Sequence, residues 1–169
     1  MVEYPWKTIQ NNVWYVDDFI EKQIIPFHKN IYTKNEFLSF GIICSGIEFL
    51  GKCLDDENDF DYSDSENYFK QALQELLPEY WKKSSQNGIS LYKSLRCGLI
   101  HSVRPGDRIW LRDKNSAIHP HLSIRNNNLH IIIDNLVVNF EEAGMEIVKR
   151  IRQGGIYKHS KFYTPFVAY

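Results

Sequence analysis

At 169 residues, with 43% hydrophobic and 14% aromatic content, the chain is long enough to bury one core and short for two ordinary domains, so residues 1–169 read as a single domain. A net charge of -1 hides a division: residues 1–89 carry 8 Lys and 15 acids, whereas residues 90–169 carry 12 Lys plus Arg, including all 7 arginines, and 6 acids. The start MVEYPWK lacks a secretory pattern, the apolar runs Phe37–Leu50 and Asn135–Phe140 fall short of the roughly 20 residues of a membrane span, and Cys44, Cys53 and Cys97 lack C-x-x-C spacing, which together predict a soluble cytoplasmic protein with reduced thiols and no membrane partner.

Residues 8–25 place Ile9, Val13, Val16, Ile20 and Ile24 at spacings of three and four, with Trp14 and Phe19 alongside, and predict an amphipathic helix ended by Pro26. Thr33-Lys34-Asn35-Glu36 has the pattern of a capping box and opens a second, long helix with Phe37, Phe40, Ile43, Ile47, Leu50 and Leu54 at helical period. Gly41 and Gly46 inside that helix predict close packing of a neighbour. Residues 55–66 hold seven acids and no base, which predicts an exposed acidic loop. Asp55, Glu57, Asp59, Asp61 and Glu66 fall at calcium-loop spacing, but Phe60 stands where the sharp turn of such a loop needs glycine, so no calcium is expected. A third helix is predicted over about Glu66 to Leu77 from Phe69, Leu73, Leu76 and Leu77, broken by Pro78 and the polar KKSSQNG stretch.

A fourth helix begins near Ile89, buries Leu91, Leu95 and Leu99 at four-residue spacing, and stops before Arg104-Pro105-Gly106. A small β-hairpin over about residues 121–133 turns at Asn126-Asn127-Asn128, because asparagine tolerates positive φ. The last helix, capped by Asp134 or Asn135, runs to about Arg152 with Leu136, Phe140, Ala143, Ile147 and Ile151 on one face. Gly154-Gly155 then opens an aromatic tail over residues 154–169 that contains Tyr163, Phe166 and Tyr169. The expected fold class is all-α, a bundle of about five helices with a small hairpin before the last.

The chemistry concentrates in residues 91–107, LYKSLRCGLIHSVRPGD. On an ideal α-helix Arg96 and His101 lie about 140° apart at one edge of the leucine face, and the small Gly98 leaves room for both to meet one ligand. Histidine titrates near neutrality and can take a proton from a 2′-hydroxyl or give one to a leaving 5′-oxygen, while arginine stabilises charge building on phosphorus. One copy of each is little machinery for that reaction. A two-fold dimer would bring two of each into one cleft. Arg104 and Arg108 flank the pair as candidate phosphate contacts, and Tyr92 and Lys93 could line the same groove. The arginine-rich half suits phosphate, although it could equally neutralise the acidic half within one chain or across a dimer. His119-Pro120-His121 offers two imidazoles with no cysteine or carboxylate cluster beside them, which does not fill a zinc shell. Phosphate-binding glycine loops, nucleophile elbows and dinucleotide fingerprints do not occur, and no cofactor or metal is expected.

The stretch LRCGLIH resembles the R-x4-6-H motif of the HEPN (higher eukaryotes and prokaryotes nucleotide-binding) superfamily, and it is seated late in an all-helical domain as that motif is. The resemblance implies a helical bundle that acts as a homodimer and cleaves RNA without a metal, leaving a cyclic phosphate and a 5′-hydroxyl. It further implies a toxin or defence role, a cognate antitoxin as partner, and Arg96 and His101 as catalytic residues. Cys97 departs from the family, whose members usually place a polar residue, often asparagine, directly after the arginine. Thiol is a weak donor, so Ser94 and Ser102 are candidate supporting groups alongside Cys97. The departure also motivates an alternative: a catalytically silent HEPN-like module that binds a nucleotide, RNA or protein.

Overall fold

The computed structural model describes residues 14–55, 60, 64–156 and 162–163. Val16–Phe19, a π-helical stretch Ile20–Ile24 and Ile25–Lys34 run on as one helix, α1. Pro26 therefore does not end it. The proline sits at the start of the last segment, directly after the wider π turn, where a missing N–H and a bulky ring are accommodated. Trp14 and Tyr15, predicted as helix, form a short strand β1 instead, and Ile9 and Val13 lie outside the described residues.

Helix α2, Glu36–Leu54, starts two residues later than the capping-box pattern predicts: the cap is Asn35, whose Oδ1 accepts the Leu38 N–H at 2.9 Å. Thr33 instead turns its hydroxyl to the Asn30 carbonyl at 2.8 Å, closing α1. This helix is long and apolar enough to cross a membrane by length and composition, but 61% of its 18-residue window is buried inside this fold. Its Ile43, Cys44, Ile47, Leu50 and Cys53 form the centre of the core. Gly46 is there for close packing, since a Cβ would stand 2.5 Å from Phe140, whereas Gly41 has only ordinary contacts, to Leu99 at 3.8 Å and Ile100. Of the acidic loop, Phe60 stacks on Phe49 at 5.5 Å, while Glu57, Asp59 and Asp61 lie outside the described residues.

Helix α3, Ser65–Leu76, is followed by a helix absent from the prediction, α4, Pro78–Gln86. Pro78 opens this helix rather than breaking one, because a first-turn position needs no N–H and favours its fixed φ. Helix α5 comprises a π-helical stretch Tyr92–Cys97 and Gly98–Ser102, with Leu91, Leu95 and Leu99 all buried. Strand β2, Ile109–Arg112, then leads through a loop to β3, Ile124–Arg125, and β4, Asn128–Ile132, and the chain passes directly into α6, Ile133–Arg152. The predicted hairpin is present: Ile124 pairs with Leu129 and Arg125 with Asn128 around Asn126 and Asn127, both at positive φ. It is part of a larger sheet, because β2 adds to β4 in parallel, Ile109 opposite Leu129 through Arg112 opposite Ile132. The architecture is thus mostly helical, with six helices and a three-stranded mixed sheet among the described residues, not a purely helical one. Asp134 does not cap α6. Its two oxygens accept from Tyr32 Oη at 2.6 Å and from the Lys114 N–H at 2.9 Å, tying α6 to α1 and to the β2–β3 loop. Of the aromatic tail, Phe162–Tyr163 forms β5 antiparallel to β1, and Phe166 and Tyr169 lie outside the described residues.

Two histidines are structural. His28, 4% exposed, lies edge-on to Phe140 at 4.5 Å, and its Nδ1 lacks a hydrogen-bond partner. His121 accepts the Ile132 N–H on Nδ1 at 3.0 Å, so its Nε2 carries the proton toward Tyr80 Oη at 2.8 Å. Burial pushes both imidazoles down to about 4. Folded, each stays neutral where the unfolded chain, with histidine near 6.5, takes up a proton. Stability is therefore fully present above pH 6.5 and falls as the pH drops toward 4, by roughly 3 kcal/mol for His28 alone. Urea unfolding between pH 7 and pH 4 reads this directly, and His28→Phe, if it folds, should flatten the slope.

Candidate functional site

Arg96 is held, not free. It leaves α5 toward α2, where Nε donates to Glu48 Oε2 at 2.9 Å and Nη2 forms an ion pair with the same oxygen at 2.8 Å. The other oxygen of Glu48 accepts from Lys52 Nζ at 3.1 Å and from Ser65 Oγ at 2.8 Å. Burial pushes the Glu48 carboxyl up, but the Ser65 and Lys52 hydrogen bonds and the charges of Arg96 and Lys52 outweigh it and hold it below the usual carboxylate range. Arg96 likewise loses by burial and regains more from Glu48, so its charge is secure. Tyr92 lies beneath the guanidinium, ring centroid 5.5 Å away, and burial together with the neighbouring Cys97 raises its phenol above the ordinary value. The result is a fixed guanidinium, gripped along one edge, with Nη1 uncommitted to any of these partners.

His101 is at the other extreme: it is exposed at the end of α5, as is Ser102. The helix is not a uniform α-helix. Its π turn advances each residue by less than 100°, so Arg96 and His101 subtend less than the angle expected for ideal geometry. The helix closes at Val103, a β-branched residue at φ 53° and 67% exposed, with the Arg104 N–H returning to the Gly98 carbonyl at 3.3 Å. Residues Arg104-Pro105-Gly106 then fold back over α5. A Cβ on Gly98 would stand 2.7 Å from the Arg104 carbonyl, and the Gly106 N–H donates to the Ser94 carbonyl at 2.6 Å. The space at Gly98, expected to admit a ligand, is thus filled by the chain itself, and the Ser94 side of the helix is covered.

The other sequence-predicted site residues are dispersed. Tyr92 and Lys93 line a cleft of about 300 Å³ with Glu66, Lys70 and Trp81. Arg108 spends its fork on backbone carbonyls, Asn87 at 2.8 Å and Asn127 at 3.1 Å, and on the Asn127 side chain at 2.6 Å, so the phosphate role expected of it gives way to stapling the α4–α5 loop to the hairpin turn. Arg104 is exposed. His119 and His121 point apart, the first to His130 with ring centroids at 4.8 Å, the second to Tyr80, and no group of three metal-ligating side chains occurs among the described residues.

Set against protein-family models, curated proteins and solved structures, the chain matches none. Glu48 is the site residue that sequence reasoning missed. Its signal is an acid four residues before a lysine on an otherwise apolar helix, Glu48 and Lys52, a pair that burial makes costly unless something else completes it. The charge division also resolves in part. Arg96 pairs with Glu48, Arg150 with Glu75, and Arg152 with Asp17 and Glu21, so these basic residues neutralise the acidic half within one chain. Beside His101, Val103 is exposed, and the exposed Ile100 adjoins Gly41 of α2, a helix whose start also carries the exposed Phe37 and Leu38.

Proposed function

We propose that the protein is a metal-independent endoribonuclease of the HEPN type, a helical bundle acting as a homodimer through the α5 end that carries His101. The observation that carries this reading is the position of His101: exposed at a helix end, flanked by exposed apolar Ile100 and Val103, on the helix that also fixes the guanidinium of Arg96. A second copy covering Ile100, Val103, Phe37 and Leu38 would bury an apolar patch and bring two histidines to one cleft. One His101 then removes the 2′-hydroxyl proton as O2′ attacks phosphorus. The P–O5′ bond breaks, and the second His101 gives its proton to O5′, leaving a 2′,3′-cyclic phosphate and a 5′-hydroxyl. Arg96 stabilises the charge on the phosphoryl oxygens. A toxin or defence role with a cognate antitoxin as partner follows from the same resemblance.

The engagement of Arg96 by Glu48, together with Cys97, favours a second reading, a silent module that binds RNA, nucleotide or protein without cutting. Cleavage of a labelled RNA pool in EDTA separates the two. The wild type should cut and His101→Ala should lose at least about a hundredfold in rate while keeping its thermal midpoint. An equal rate in both proteins rules out the catalytic assignment.

A further inference from the structure

Alternation along the strands of the small sheet separates two faces. Ile109, Leu129 and Ile131 turn toward the core, and the strand register sets Trp110 and Arg112 of β2, His130 of β4 and Arg125 of β3 on the other side, where His130 is itself buried, 3% exposed, beneath its neighbours. There Trp110, 40% exposed, meets His130 at a centroid distance of 5.1 Å, Arg112 lies over its indole at 5.3 Å, and His119 reaches in from the β2–β3 loop to close edge-on against His130. The register sets the layout. Arg112 stands opposite Ile132 and Arg125 opposite Asn128, on the two flanks of β4 and four residues apart along it, about 13 Å. The cations thus mark the ends of a diagonal whose middle is aromatic.

Among the described residues neither Arg112 nor Arg125 has an ion pair, in contrast to Arg96, Arg150 and Arg152. Asp113, next in sequence, accepts from Asn115 and Ser116, and Asp134 from Tyr32 and Lys114. His130 is held below its ordinary value by burial first and then by His119, Arg112 and Arg125, all of them repelling a further proton.

We infer that this outer face is a docking platform for an unpaired nucleic-acid strand, with Trp110 stacking a base and Arg112 and Arg125 holding phosphates on either side. An indole beside a planar guanidinium accepts any base, and arginines free of described ion pairs at the two ends suit a backbone passing diagonally. A duplex hides its base faces and offers only its phosphates. The platform deepens the ribonuclease reading by naming unpaired RNA as the substrate class, but it rests on residues separate from Arg96 and His101.

The test uses the full chain and a fluorescent strand of about 12 nucleotides carrying 2′-O-methyl groups, which removes the attacking hydroxyl and lets binding be read without cleavage. Anisotropy titrations should show tighter binding to the single strand than to the same strand annealed to its complement. Trp110→Ala should weaken single-strand binding roughly tenfold, with Trp110→Phe recovering most of it. The Arg112→Gln/Arg125→Gln double variant should lower the slope of log affinity against log salt by about 1.4, a readout that a loss of fold would not mimic. Equal affinity for single strand and duplex, no affinity for either, or an unchanged Trp110→Ala overturns the platform; a face made for a protein partner would give the second of these. Wild type that binds the strand but cleaves no unmodified RNA leaves the platform standing and removes the nuclease reading. Cleavage with unaltered binding by Trp110→Ala does the reverse.

Discussion

Replacing Glu48 with alanine is expected to lower the unfolding free energy by about 3–5 kcal/mol, the cost of removing one partner from a buried ion pair. The carboxylate is 8% exposed and is the common acceptor for Lys52, Arg96 and Ser65. Without it Lys52, itself 8% exposed, loses the carboxylate 3.1 Å from its ammonium, and Arg96 loses the contact that fixes its direction. Lys52 retains the Tyr68 ring, 5.9 Å from Nζ, which offsets only a small part of this. Urea denaturation at pH 7 measures the loss. A change below about 1 kcal/mol would mean that both cations reach water with little rearrangement. The variant has a functional arm as well: with Arg96 released, the proposed cleavage should fall even at temperatures where the protein stays folded. Glu48→Gln keeps an acceptor but removes the negative charge that Lys52 and Arg96 share, and should fall between wild type and Glu48→Ala in stability.

Gly51→Ala is the second large effect. A Cβ at this position would stand 1.8 Å from the Tyr68 carbonyl oxygen and 2.5 Å from its carbonyl carbon. Both are backbone atoms of α3, so no side-chain rotation relieves the overlap, and α2 and α3 must separate along a contact lined by buried Leu50, Cys53, Phe69 and Ala72. Overpacking of this kind costs about 3 kcal/mol or more, far above the slight gain in helix propensity that alanine brings. Thermal unfolding monitored by circular dichroism should show a midpoint lowered by about 6–12 °C or more, taking roughly 2–4 °C per kcal/mol for a domain of this size. Gly41→Ala is the matched control. Its Cβ would meet nothing closer than 3.8 Å, so the same substitution on the same helix should be neutral or mildly stabilising.

The contrast between the two glycines shows where the information lies. Periodicity found every helix but α4 because burial of one face is a local property: Leu91, Leu95 and Leu99, or Leu136, Phe140 and Ile147, repeat within a few turns and all are buried. It also found the hairpin, since Asn126 and Asn127 take the positive φ that asparagine tolerates. It misread Pro26 and Pro78 for one reason. A proline's effect depends on whether it meets the interior or the first turn of a helix, and the π turn before Pro26 and the chain reversal before Pro78 are set by packing. The ladder of β2 beside β4 joins segments about twenty residues apart in parallel, a pairing that no turn residue announces.

The sequence by itself determined five of the six helices and the hairpin, the identity of the leucine face of α5, the placement of Arg96 and His101 on one helix, and the separation of acidic from basic residues. Only the tertiary structure decided which charges meet: that Arg96 is gripped along one edge by Glu48, 48 positions away, that Arg108 holds backbone carbonyls, and that Arg112 and Arg125 make no ion pair among the described residues. The physical reason is that helix period and turn chemistry act over a few residues, whereas an ion pair, a glycine contact or a stacking face exists only where distant segments meet.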